Sequence, residues 1–349
     1  MSISANKGEW SEFYAFLKIL SDKKIFSADE NFVLIPGSFL NVLEIIRSEK
    51  KKSISYSLDQ SKDAVSVCFE NKFFEIPVVK ITSKLSSILE GIRSGVNQRG
   101  SFTLPVAEDL MGLMKCTKVN ADSRDKSDIK LRIEDPITAT NQLRGFSIKS
   151  KLGGLATLLN ASQATNIVYQ IVKDSKSCDY SKAKINLKNK MEFNEKLLFS
   201  HFSNPVFHNN LLYIDSLMPE ILAEYVKIYY IRGVSRISDI TDIIYIDSGK
   251  EGPSNFYEYK IQELLISVAL AMQPSKKWDG SIISNGGYIV VKEDGELACY
   301  HIYERDRFKS FLYNLTKFET PSASRHQFGE VYHEDGEKFI KLNLQIRFI

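Results

Sequence analysis

Apolar residues recur at helical spacing near the start of the chain. Trp10, Phe13, Leu17 and Leu20 share one face over residues 8–20, which predicts an amphipathic helix. Glu9 and Glu12 stand three apart in its first turns, on an edge flanking the apolar stripe. Acids there either serve the helix dipole or look into a cleft. Residues 41–47, 83–93, 109–114, 217–230 and 256–272 also read as helices. Period-two alternation marks the strands. Residues 64–69 and 73–79 predict one hairpin, and residues 286–292 and 296–303 predict another across Glu293-Asp294-Gly295. Residues 240–246 fit strand or helix, 155–172 contribute a core helix or strand, and 338–348 read as one closing strand.

One pair of short strands carries candidate chemistry. After Asp128, the apolar Ile129, Leu131 and Ile133 alternate with Lys130 and Arg132. Phe146 and Ile148 alternate with Ser147 and Lys149, and Glu134-Asp135-Pro136 supplies a turn between the two runs. If the runs pair as neighbours, the Asp128 carboxylate and the Lys149 amine converge at one end of the hairpin. An acid that holds a divalent cation, beside a lysine that polarises water, is the minimum equipment of a metal-dependent phosphodiesterase. Spacing alone leaves equal room for an aspartate in a turn and a lysine on a solvated face. Context favours the first reading, because a lysine in an apolar strand is costly without a partner.

Composition narrows the classes. The 349 residues are 43% hydrophobic and 26% charged, with a net charge of +3, ordinary values for a globular protein of one elaborated domain or two. This mild excess permits a nucleic-acid partner only if the basic residues gather on one face. Cys68, Cys116, Cys178 and Cys299 form no CxxC pair, which argues against a zinc knuckle or a disulfide framework. No apolar run approaches the roughly 18 residues of a membrane span, and residues 1–7 lack a signal-peptide core; the expectation is a cytoplasmic protein without a membrane partner. There is no GxxxxGK[ST] loop, no GxGxxG and no GxSxG elbow. The polar loop holding Asn97, Gln98 and Arg99 has residue types that read base edges, though surface loops share that composition. The expected organisation is an N-terminal region at 1–105, a core carrying Asp128 and Lys149 at 106–250 and a C-terminal region at 251–349.

Several blocks together resemble the HpaII-type restriction endonucleases. They are Asn6-Lys7-Gly8-Glu9-Trp10-Ser11-Glu12, Ser127-Asp128-Ile129, residues 145–153, 157–162, Thr165-Asn166, 285–291, 320–326 and 342–348, and they span the chain. The resemblance implies an α/β fold of the PD-(D/E)XK type: a restriction-endonuclease-like core with a mixed central sheet flanked by helices, plus recognition elements. It implies a bacterial enzyme that uses Mg2+ to cut double-stranded DNA at a short palindrome, CCGG being the family expectation, and a homodimer on that site. Asp128 and Lys149 match the motif. Ser147 stands where its second acid is usual, and Ser127 where proline is usual. Gln163 and Glu12, with Glu9 behind them, are the residues expected to complete the metal shell. Arg325, with Ser322, Ser324 and His326, heads the candidates for base contact; a plain surface loop is the other reading. The competing classes are a DNA-binding protein that kept the fold but lost catalysis, and a repair nuclease.

Overall fold

The computed structural model describes residues 3–49, 52–95, 100–120, 127–135, 141–154, 156–250, 252–282 and 284–349. The chain divides into two compact units, Met1–Ala156 with Ile283–Phe308, and Thr157–Ile282 with Lys309–Ile349. Elements are numbered along the chain.

The strands of the first unit are β1 (Ser4–Ala5), β2 (Lys24–Ala28), β3 (Leu34–Glu49), β4 (Lys52–Leu58), β5 (Ala64–Phe69), β6 (Lys72–Pro77), β7 (Phe102–Thr103), β8 (Ile129–Glu134) and β9 (Asn141–Ser150). In the second unit β10 (Thr157–Leu159), β11 (Asn166–Lys173) and β12 (Glu195–Phe202) follow. The chain then returns to the first unit with β13 (Gly287–Val291) and β14 (Leu297–His301). Among the described residues, nine strands of the first unit form one sheet in the order β2-β14-β13-β9-β8-β3-β4-β5-β6, and β2 also pairs with β3. That extra pairing closes a ring of six strands with the β8–β9 hairpin inside it. β9 is antiparallel to β8 and parallel to β13, so the candidate motif lies in the middle of the sheet. Gly287 makes its end of β13 possible: its φ is +111°, and a Cβ there would meet the Tyr300 carbonyl at 2.0 Å.

Helix α1 (Lys7–Asp22) confirms the first sequence reading. Asn6 and Glu9 form a reciprocal capping box, and Lys23 stops the helix in a left-handed conformation. Trp10, Phe13, Leu17 and Leu20 are fully buried, each burial contributing about 1.5–3 kcal/mol. They join one core with α2 (Val78–Ser94), α3 (Pro105–Leu113) and the inner face of the sheet.

Residues 41–47 are strand, not helix. A register shift between Val42 and Glu44 puts Val42 and Ile45 on the same buried face, so a bulged strand imitates helical spacing. β-Branched Val42, Ile45 and Ile46 favour the pleated choice.

The second unit holds an antiparallel sheet in the order β12-β11-β17-β16, with β16 (Val331–Glu334) and β17 (Glu337–Asn343), and a three-stranded sheet β10-β18-β15, with β15 (Thr316–Phe318) and β18 (Ile346–Phe348). Its helices include α4 (Pro205–Ile214), α5 (Met218–Arg232), α6 (Ile237–Asp247) and α7 (Phe256–Leu270); α8 (Arg305–Asn314) and the short α9 (Ala323–His326) come later. Residues 240–246 are therefore helical. The expected single closing strand is broken after Asn343, where the buried side chain turns into a polar cluster and the chain restarts as β18. No helix among the described residues is long and apolar enough to cross a membrane.

Candidate active site

In the first unit Asp128 lies against β9, the strand that carries Lys149. Asp128 sits one residue ahead of β8, its N–H donating to the Phe146 carbonyl at 2.8 Å. Its carboxylate lies back over β9, where Oδ2 accepts the Ile148 N–H at 2.7 Å and the Ser147 hydroxyl at 3.0 Å. Gly145 makes room for this crossing, since a Cβ there would stand 2.8 Å from Cβ of Ser127. Lys149 follows on β9, its Nζ 5.4 Å from the centroid of the Tyr288 ring. That ring is buried, and its hydroxyl is pushed up first by burial and then by the Asp128 charge. Ser147, standing where the second acid was expected, donates its hydroxyl to Asp128 and so orients that carboxylate.

Helix α1 brings the two glutamates to different ends. Glu9 Oε2 accepts the Asn6 N–H at 2.8 Å, so this carboxylate caps the helix. Glu12, one turn on and half-buried, has its carboxyl pushed up to about 8, by burial first and by the Asp128 charge second, against the pull of Lys149 and Arg47. A carboxyl raised by a neighbouring carboxylate's charge marks a place where a positive charge is favourable. A cavity of about 10 Å³ opens among Glu12, Arg47, Asn120, Asp128 and Ile148, room for about one water-sized species.

Arg47 escaped the sequence reading, which placed it on a helix. On β3 its side chain points inward and is 6% exposed. Nε donates to Glu49 at 2.6 Å, and one guanidinium nitrogen reaches the carbonyls of Lys118 and Val119 at 2.6 and 2.9 Å. Glu49 in turn accepts from the N–H and hydroxyl of Thr117, each at 2.7 Å. This buried pair fixes residues 117–119. A charged residue in an apolar strand was the available signal, and the bulge concealed it.

The other expected residues belong to the second unit or lie outside the described residues. Gln163 opens a 3-10 turn of the second unit, Gln163–Thr165, and is exposed. Arg325 is also exposed there, on α9, with Ser322 as N-cap; the expected loop is a single helical turn. Asn97, Gln98 and Arg99 lie outside the described residues.

Among the described residues no group of three or more His, Cys, Asp or Glu could hold a metal ion. Mg2+ does not require one, since it binds through one or two carboxylates and keeps waters and phosphate oxygens as its other ligands. Asp128 and the charge-strained Glu12 fit that pattern.

The family model of the HpaII restriction endonuclease matches residues 6–348. The chain is 40% identical over 356 residues to the type II restriction enzyme HpaII of Haemophilus parainfluenzae, with 99% of each chain covered. No solved structure matches it.

Proposed function

The chain belongs to the HpaII restriction endonuclease family and is a type II, site-specific deoxyribonuclease, and we propose that it cuts double-stranded DNA at CCGG through an Asp128–Lys149 motif on a PD-(D/E)XK core. The observation that carries the assignment is the Asp128 carboxylate held on β9 beside Lys149, with Glu12 next to both.

In this reading Asp128 and Glu12 supply the protein oxygens for Mg2+. That ion, when bound, supplies Lewis-acid stabilisation of the phosphate and a more acidic water. Lys149 lies against the scissile phosphate, where its ammonium offsets the charge that grows on the phosphoryl oxygens during attack. The Tyr288 ring carries the lysine on its face and narrows its range. The Ser147 hydroxyl and the Ile148 N–H keep Asp128 in one orientation. Arg325, Ser322, Ser324 and His326 contact the DNA, as do Asn97, Gln98 and Arg99, and a homodimer matches the two-fold symmetry of the site. The identity to HpaII along the whole chain supports CCGG.

Plasmid digestion tests this reading. With Mg2+ the protein should give discrete fragments whose mapped ends fall at CCGG, and EDTA should abolish them. Lys149→Ala should bind DNA and not cut. Near wild-type cutting by that variant places the chemistry elsewhere.

A further inference from the structure

The sequence places Gln163 and Arg325 far apart, and the fold of the second unit joins their turns through one buried hydrogen-bonded hub. β11 begins at Asn166 and β17 ends at Asn343, and the two residues pair across the sheet. Asn343 is 1% exposed, Asn166 3% and Thr165 0%. Nδ2 of Asn343 donates to the Ser162 carbonyl at 2.7 Å and to Oδ1 of Asn166 at 2.5 Å. Nδ2 of Asn166 donates to the His326 carbonyl at 2.9 Å. Thr165 closes the inner side, its hydroxyl accepting the Ser162 N–H at 3.0 Å and lying 3.3 Å from Oδ1 of Asn343.

Ser162 caps the Gln163 turn, and His326 ends the Arg325 turn. Two side-chain amides therefore link the backbones of both turns, a span on the order of 10 Å, or about three base-pair steps. Both turns are rigid inside and polar outside, with Gln163, Ser322, Ser324 and Arg325 exposed. Buried polar groups this fully satisfied specify geometry more than they add stability.

We propose that Gln163 is a base-reading residue sharing one DNA-contacting surface with Arg325, and that Asn343 and Asn166 are positioning residues that set the spacing of the two turns. The proposal rests on the Arg325 turn meeting DNA. A glutamine amide offers a donor and an acceptor side by side, and an arginine offers a fork of donors; both match base edges in the major groove. It moves Gln163 from the metal shell to the recognition surface.

The two asparagines make the idea testable, because each holds a different turn. The full-length Lys149→Ala protein serves as the non-cutting parent. Its affinity is measured by fluorescence anisotropy for a duplex carrying the mapped site and for duplexes each altered at one base pair. If the parent still cuts, or shows no preference for the mapped site, the functional reading itself fails. Given a selective parent, Gln163→Ala and Arg325→Ala should each lower the preference for the mapped site by about tenfold or more, at particular base pairs. Asn166→Asp loses its bond to the Arg325 turn and should weaken discrimination at the Arg325 positions alone. Asn343→Asp loses its bonds to Ser162 and Asn166 and should weaken it at both sets. Should Asn343→Asp not fold, as judged by circular dichroism, the selective effect of Asn166→Asp still decides the positioning role. A Gln163→Ala protein with unchanged discrimination at every duplex overturns the proposal, as does one whose only defect is a smaller stabilisation by Mg2+. Equal loss at all base pairs in both asparagine variants overturns the positioning role.

Discussion

Ser147 donates its hydroxyl to Oδ2 of Asp128 at 3.0 Å, from the strand position where this motif ordinarily carries its second acid. In the function proposed above, this position carries an orienting donor in place of a ligand. A hydrogen bond to a charged group contributes about 1.5–3 kcal/mol. Asp128 keeps the Ile148 N–H when the hydroxyl is removed. Ser147→Ala should therefore cut about tenfold more slowly at saturating DNA, with little change in affinity. Ser147→Asp places a second carboxylate against Asp128, and like charges that close oppose each other's ionisation. Its Tm in EDTA should fall below that of the wild type and rise more steeply on adding Mg2+. A Tm with no added response to Mg2+ counts against this position facing the ion.

Glu12 makes stability depend on pH. A carboxyl pushed up to about 8 holds its proton in the folded chain while the unfolded chain has lost its own above about 4.5. The unfolded state then binds fewer protons, so stability falls as pH rises from about 4.5 to 8. Glu12→Gln removes this slope. In EDTA at pH 8 the variant should be more stable by on the order of 1–2 kcal/mol, a few degrees in Tm, and it should not cut. Thermal melts at pH 5 and pH 8, with and without Mg2+, check both halves. Equal melts for the two proteins at pH 8 remove the electrostatic strain assigned to Glu12.

His301 sets a second pH dependence, of opposite sign. It is 3% exposed at the end of β14, and burial, followed by the Arg144 charge, pushes its imidazole down to about 4. Between about 6.5 and 4 the unfolded chain takes up a proton that the folded chain refuses. Stability is thus full above pH 6.5 and lost as pH falls toward 4, by about 2 kcal/mol at pH 5. His301→Asn keeps an acceptor for the Tyr303 N–H, which Nδ1 now accepts at 3.2 Å, and cannot ionise. Urea unfolding at pH 7.5 and 5 should show a smaller loss in the variant.

The parts of this site that follow local patterns were legible in the sequence. Alternation announced the β8–β9 hairpin, and the aromatic stripe announced α1. The sequence also carried Asn6-x-x-Glu9, the spacing of a capping box, a signal that the sequence reading did not use to separate Glu9 from Glu12. What escaped depends on contacts remote in sequence. Lys149 meets Tyr288 only because β13 runs parallel beside β9, about 140 residues later, and no local signal encodes that pairing. Arg47 was concealed by the bulge at Val42–Glu44. Asn166 and Asn343 read as ordinary polar residues until β11 and β17 pair and turn their amides inward.

Gly145 offers a test of whether the backbone crossing at Asp128 matters in itself. A Cβ at this position would lie 2.8 Å from Cβ and 2.9 Å from Oγ of Ser127, both of which belong to a short buried side chain with little room to yield. Gly145→Ala must push residues 127–128 away from β9, lengthening the bonds from Ile148 and Ser147 to Asp128. Overpacking of this kind costs about 1–3 kcal/mol, and a shift near 1 Å at a catalytic group costs on the order of a hundredfold in rate. The loss of turnover should therefore exceed the loss of stability. Gly154→Ala is the control, because a Cβ there meets nothing within 4 Å; it should cut and melt like the wild type. If Gly145→Ala also cuts normally while folded, Asp128 does not depend on the close approach of Ser127 to β9.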